Sequence, residues 1–126
     1  MKIKGEITTG MGKAKYFISN DYYSNQIIKK CGFKAYPGTL NIIIDEKLID
    51  EISNIKNNTK NIINAKKNFG AVKYIKAILN EKIEGAIVFP DKTAHDENYL
   101  EFIADENLRK KFNLKDGDLV EIEILD

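Results

Sequence analysis

The sequence predicts an all-β fold with short helices, a closed or nearly closed β-barrel, and three observations predict it. Short alternating or apolar runs recur at Lys2–Thr9, Ile42–Ile44, Gly70–Leu79, Ile83–Phe89, Tyr99–Ala104 and Leu119–Leu125, each of strand length. Turn signals separate them, among them Gly10-Met11-Gly12, Pro37-Gly38, Asn80-Glu81-Lys82 and Asp116-Gly117. The runs do not alternate with long helical segments, so a parallel α/β sheet is not expected. Short strands of this kind need their edges closed or covered, which a barrel with loop insertions achieves.

Taken in order, Lys2–Thr9 alternates with Ile3 and Ile7 on one face. Gly10 to Lys15 breaks the run, and Lys15–Ser19 resumes it with Tyr16-Phe17-Ile18, so the two runs are expected to form a hairpin. Asn20-Asp21 offers N-caps for a helix through Lys30 that turns Tyr23, Ile27 and Ile28 toward the core and stops at Gly32. Pro37-Gly38 turns the chain into the Ile42-Ile43-Ile44 strand. Leu48, Ile49, Ile52 and Ile55 give Lys47–Ile55 a helical period, and Ile62-Ile63 marks a short strand before a turn at Lys66-Lys67-Asn68. Gly70–Leu79 and Ile83–Phe89 form a hairpin across Asn80-Glu81-Lys82. Pro90–Asn98 is polar and irregular, with Thr93 and the only histidine, His95. Tyr99–Ala104 is a strand with Tyr99, Glu101 and Ile103 on one face. Asp105 is expected to cap a helix over Glu106–Phe112, a turn follows over Asn113–Asp118, and the last strand alternates Val120, Ile122 and Ile124 against Glu121 and Glu123.

The 126 residues suit one domain with a real core. The net charge of +1 offers no broad electrostatic attraction for DNA, RNA or an anionic membrane. No run approaches a membrane span, and Met1-Lys2-Ile3-Lys4 leads straight into the first strand with no apolar signal segment, so a cytoplasmic protein is expected. A single cysteine, Cys31, excludes an internal disulfide and a cysteine-based metal cluster.

The chemistry concentrates around Tyr36-Pro37-Gly38-Thr39-Leu40-Asn41. Strand alternation puts Thr39 and Asn41 on one face, so a hydroxyl and an amide oxygen emerge together beside a turn of little bulk. Neutral hard oxygens suit Mg²⁺ whose charge is already balanced by a nucleotide, since Mg²⁺ takes few protein ligands and completes its shell with phosphates and water; an ordinary turn with a polar strand start is the plainer alternative. The loop Gly10-Met11-Gly12-Lys13-Ala14-Lys15 can present backbone N–H groups and two lysines to phosphates. It matches neither a P-loop nor a dinucleotide fingerprint, and a plain turn explains it equally. Glu101 shares its face with apolar neighbours, and burial there would suit it to proton transfer or to holding a hydroxyl; a glutamate at a sheet edge is the plainer alternative. The N-terminus of the helix after Asp105 is an anion site in its own right. Arg109, the sole arginine in a lysine-rich chain, lies in its second turn, where a planar guanidinium fork suits phosphate, and chance explains a lone arginine equally.

Several segments together resemble the archaeal CTP-dependent riboflavin kinases. They are Gly5-Glu6-Ile7 with Gly10-Met11-Gly12 and Tyr16; Tyr36-Pro37-Gly38-Thr39-Leu40-Asn41; Gly85-Ala86-Ile87-Val88 with Pro90; Thr93-Ala94-His95; Glu101-Phe102-Ile103-Ala104; Leu108-Arg109; and Leu114-Lys115-Asp116-Gly117-Asp118. The resemblance runs in order through nearly the whole chain, and Pro-Gly-Thr-Leu-Asn is its most specific part. It implies a single six-stranded cradle-loop β-barrel over residues 1–126 that transfers the γ-phosphoryl of CTP to the 5′-hydroxyl of riboflavin, giving FMN and CDP. By matching position, Gly10, Met11, Gly12, Lys13, Ala14 and Lys15 would hold the nucleotide, with Glu106, Asn107, Leu108 and Arg109 as its other wall. Thr39 and Asn41 would bind one Mg²⁺ bridging the phosphates. Thr93 and Glu101 would contact the flavin, and Glu101 is the candidate catalytic residue. The family often has a third glycine where this chain has Ala14, and a proline where it has Asp105. Some relatives carry an N-terminal helix-turn-helix domain; no such segment is read here, so no DNA-binding role is expected, and a monomer acting on small molecules is. The rival readings are a non-catalytic barrel that binds a flavin, nucleotide or RNA, and a structural barrel with its Lys/Asn surface as an interaction face.

Overall fold

In the computed structural model, the described residues are 1–10, 18–64, 71–90 and 98–125. The strands are β1 (Lys2–Thr8), β2 (Leu40–Ile44), β3 (Ile62–Ile63), β4 (Val72–Leu79), β5 (Ile83–Pro90), β6 (Tyr99–Ile103) and β7 (Leu119–Ile124). The helices are α1 (Asp21–Cys31), α2 (Ile49–Asn58) and the five-residue α3 (Leu108–Phe112), and a 3-10 turn over Glu46–Leu48 precedes α2. Six strands close an antiparallel barrel in the order β4-β5-β6-β2-β1-β7, with β7 returning to β4. β3 is an extra strand that shares one edge of β4 with β7: Ile62 and Ile63 pair with Lys73 and Val72, whereas Ile122–Ile124 pair with Leu79–Ala77. All-β class and a six-stranded barrel are therefore as the sequence predicts.

Alternation explains the two cores. Ile3, Ile7, Ile42, Ile87, Phe102, Val120 and Ile122 point into one cluster. Ala86, Val88 and Ile103 alternate with them on β5 and β6 and meet Tyr23 and Ile27 of α1 in a second. From Gly85 to Phe89 β5 is apolar because both its faces are covered there. Gly85 lies where two strands crowd: a Cβ there would overlap the Ile103 carbonyl oxygen and come within 2.6 Å of Phe102 Cζ. The β4–β5 turn forms as expected, with Asn80 and Glu81 both at positive φ, a backbone that twists in the same sense as the flanking strands.

Five expectations need correction. β1 is paired with β2 and with β7, so the two edges a hairpin partner at Lys15–Ser19 would need are taken by distant strands. Ile18 is helical, and residues 15–17 lie outside the described residues; an apolar run as short as Tyr16–Ile18 cannot separate strand from helix by periodicity. Asn20 caps α1 by accepting from the Tyr22 N–H, and Gly32 ends it at φ 84°, but Ile28 is 43% exposed. The buried stripe is the narrow Tyr23–Ile27 pair, four residues apart, and Ile28 sits about 100° around the helix. The helix expected from Lys47 opens as the 3-10 turn capped by Asp45 and runs on to Asn58. Asp105 does not cap α3: the Ala104 carbonyl is taken by the Tyr36 N–H, which keeps the chain tied to the sheet, and Asn107 caps instead by accepting from the Lys110 N–H. α3 is one short turn with Arg109 in it, so no helix N-terminal anion site forms. The turn expected at Lys66–Asn68 lies outside the described residues.

Candidate functional site

The site begins with strand register. Thr8 of β1, Asn41 of β2 and Glu101 of β6 are direct neighbours in one lateral row. Leu40, Ile42, Leu100 and Phe102 point into the barrel core, so the alternating Asn41 and Glu101 lie on the opposite face. Both are buried, Asn41 to 8% exposure and Glu101 to 2%. The Thr39 hydroxyl donates to Glu101 Oε1 at 3.2 Å and lies 3.5 Å from Asn41 Oδ1, and Asn41 Nδ2 donates to the Thr39 carbonyl at 3.4 Å. The side-by-side placement of Thr39 and Asn41 is thus as the alternation predicts, and Glu101 joins them.

Gly10 presses against this group: a Cβ there would overlap the Asn41 carboxamide and the Tyr99 hydroxyl. Tyr99 is held above the usual phenol value chiefly by burial, then by the negative charges of Glu101 and Asp116, with Arg109 opposing. Beyond Thr39 a cleft opens, lined by Tyr36, Gly38, Leu40, Phe102, Ala104 and the Glu106–Arg109 segment. Asn107 donates to the Tyr36 hydroxyl at 3.2 Å across it. Arg109 Nη2 donates to Asp116 Oδ1 at 2.7 Å and to the Thr8 carbonyl at 2.9 Å, and Thr9 Oγ1 donates to Asp116 Oδ2 at 2.7 Å.

Of the sequence-predicted site residues, Gly10, Thr39, Asn41, Glu101 and Glu106–Arg109 thus gather around one cleft and its floor. Met11, Gly12, Lys13, Ala14, Lys15, Thr93 and His95 lie outside the described residues. Thr9, Tyr36, Tyr99 and Asp116 are additions. The signal for Asp116 was the Asn113–Asp118 turn, which takes positive φ at Asn113 and Gly117 and brings residue 116 back to Arg109.

The hydrogen bonds from Arg109 and Thr9 hold the Asp116 carboxyl below its usual value of 3.8. A carboxyl lowered on folding stabilises the fold above its unfolded value and ceases to do so as pH falls through its folded value. Wild type is therefore expected to melt slightly above Asp116→Asn at neutral pH, with the difference shrinking in thermal scans as pH falls below about 4. A gap that persists unchanged to low pH would refute this linkage.

The donor set fits a hard divalent ion: two neutral oxygens beside one carboxylate, for an ion that completes its shell with phosphate and water oxygens. Among the described residues no three His, Cys, Asp or Glu side chains converge, so the transition-metal type of site is not formed by them. Burial pushes the Cys31 thiol up to about 11, which leaves it protonated and unsuited to nucleophilic chemistry at neutral pH. No described helix is long and apolar enough to cross a membrane.

Comparison with known proteins agrees along the whole chain. The family model CTP-dep_RFKase, described as "Domain of unknown function DUF120", matches residues 7–124. The riboflavin kinase of Methanobrevibacter smithii is 59% identical over 123 residues, covering 98% of this chain and 99% of the relative. That of Methanothermobacter thermautotrophicus is 43% identical over 117 residues, covering 92% and 93%. That of Archaeoglobus fulgidus is 40% identical over 131 residues, which are 99% of this chain and 55% of a longer protein. With a family model matching nearly the whole chain and relatives covered almost end to end, the chain belongs to the archaeal riboflavin kinase family, CTP-dep_RFKase.

Proposed function

We propose that the protein phosphorylates riboflavin with CTP, giving FMN and CDP. The observation that carries this reading is the meeting of three oxygens, from Thr39, Asn41 and Glu101, at the foot of a cleft whose other wall bears Arg109. Family membership supports the substrate and the donor.

In this reading Gly10–Lys15 and Glu106–Arg109 hold the nucleotide from two sides. Thr39 and Asn41 hold Mg²⁺, which when bound supplies neutralising charge on the phosphates. Thr93 and Glu101 bind the flavin. Glu101 accepts the proton of the ribityl 5′-hydroxyl as its oxygen bonds to the γ-phosphorus, while the bond from that phosphorus to the β–γ bridging oxygen breaks and CDP departs. Phosphoryl transfer needs alignment and charge balance more than covalent catalysis, and a buried carboxylate beside neutral ligands meets that need.

The testing experiment is turnover of riboflavin with Mg²⁺ and either CTP or ATP, with FMN read by chromatography. FMN from CTP and little from ATP is expected. FMN from ATP alone would overturn the donor, and none from either with folded protein would favour a binding module. Thr39→Ala and Asn41→Ala are each expected to raise the Mg²⁺ concentration for half-maximal activity about tenfold or more. An unchanged metal titration in both variants would remove these residues from the metal site.

A further inference from the structure

We infer that Asp116 is a positioning residue for the nucleotide wall. It aims Arg109 through one carboxylate oxygen and tethers the approach to the glycine loop through the other. The inference rests on the kinase reading above, in which Arg109 contacts the nucleotide, and adds a residue which that reading does not use.

The geometry assigns each oxygen a separate task. Asp116 Oδ1 takes Arg109 Nη2 at 2.7 Å, and Oδ2 takes the Thr9 hydroxyl at 2.7 Å. The same Arg109 nitrogen also donates to the Thr8 carbonyl at 2.9 Å, so the guanidinium is fixed at two acceptors. These few bonds join the end of β1 to α3 and to the turn before β7, segments 101 and 107 positions further along the chain. Thr9 is followed by Gly10, which lies tight against Asn41 and Tyr99. Displacement of Thr9 therefore reaches the Thr39–Asn41–Glu101 oxygens through a contact with no slack.

A stability role explains this arrangement poorly. The side chains of Arg109 and Asp116 are 38% and 57% exposed, and ion pairs that open to water contribute little to folding. What a short charge-assisted bond at such a place does supply is direction. An unheld arginine samples many rotamers, and binding must then order it. Asp116 orders it beforehand, with the remaining guanidinium N–H groups available to a phosphate.

The test is steady-state kinetics and CDP calorimetry on wild type, Asp116→Asn, Thr9→Val and the double variant. Asp116→Asn is expected to raise the KM for CTP and the Kd for CDP about tenfold, with the KM for riboflavin within about twofold and melting within a few degrees of wild type. Thr9→Val is expected to do less, and its effect to shrink in the double variant, because Thr9 acts through Asp116. Equal weakening for both substrates, or an unchanged KM for CTP and Kd for CDP, would overturn the inference. So would a lower KM for CTP, since Asp116 would then be holding Arg109 away from the phosphates. If wild type makes no FMN but binds CDP, the kinase reading fails and the calorimetry alone decides the role of Asp116. Wild type that neither turns over nor binds CDP overturns both.

Discussion

Glu101→Gln is expected to lower kcat for riboflavin phosphorylation by about 10²-fold or more while leaving CDP affinity within about threefold of wild type. The substitution keeps the shape of the side chain and its capacity to accept from the Thr39 hydroxyl, 3.2 Å away. It removes the negative charge and the ability to take a proton. At 2% exposure Glu101 is shielded from water, so bulk solvent is poorly placed to replace it as acceptor. The check is a rapid-quench single-turnover measurement at saturating substrates, paired with calorimetric CDP binding. A near-normal single-turnover rate would exclude Glu101 from the chemistry. A parallel loss of CDP affinity would instead assign it to holding the site together.

Phe102→Ala, one residue further along β6, is expected to cost about 3–5 kcal/mol, a large share of the ~5–15 kcal/mol by which small domains are stable. The ring is fully buried, packs in the main core and backs onto Gly85 of the adjacent strand. Its removal leaves a cavity that the closed ring cannot easily collapse, because β6 is paired on both edges, to β5 and to β2. Thermal denaturation followed by circular dichroism should show a midpoint lowered on the order of 10–25 °C. A shift of only a few degrees would mean that the barrel relaxes around the gap. The two variants separate the faces of one strand, with activity lost on one side and stability on the other.

That separation is also where the sequence was most readable. Tyr99, Glu101 and Ile103 were assignable to one face by alternation alone, as were Val120, Ile122 and Ile124. The β4–β5 hairpin was legible because two long apolar runs flank a short polar turn. Thr39 and Asn41 followed from a turn opening into β-branched residues. Other features depend on distance in space. Nothing near Thr9 announces that Asp116 will meet it, since 107 positions separate them. The cap of α3 was misplaced because Asp105 and Asn107 are both good caps, and a hydrogen bond from Tyr36 to Ala104 decides between them. The partners of β1 were missed for the same reason: local turn chemistry suggests a hairpin, and long-range pairing overrides it.

The return of β7 to β4 bears on how the chain is made. β7 is the last strand in sequence, and it fills the gap between β1 and β4. During synthesis the N-terminal strand must wait for residues 119–124 to leave the ribosome before its second edge is satisfied. A chain emerging at ~5–20 residues per second therefore spends seconds with two bare strand edges exposed. Barrel closure waits on that last pairing, and it falls in the slow range, milliseconds to seconds, typical of folds built on distant pairings. A ribosome-stalled chain ending before Leu119 should accordingly be protease-sensitive and chaperone-bound, and become resistant only once residues 119–124 are present and clear of the ribosome.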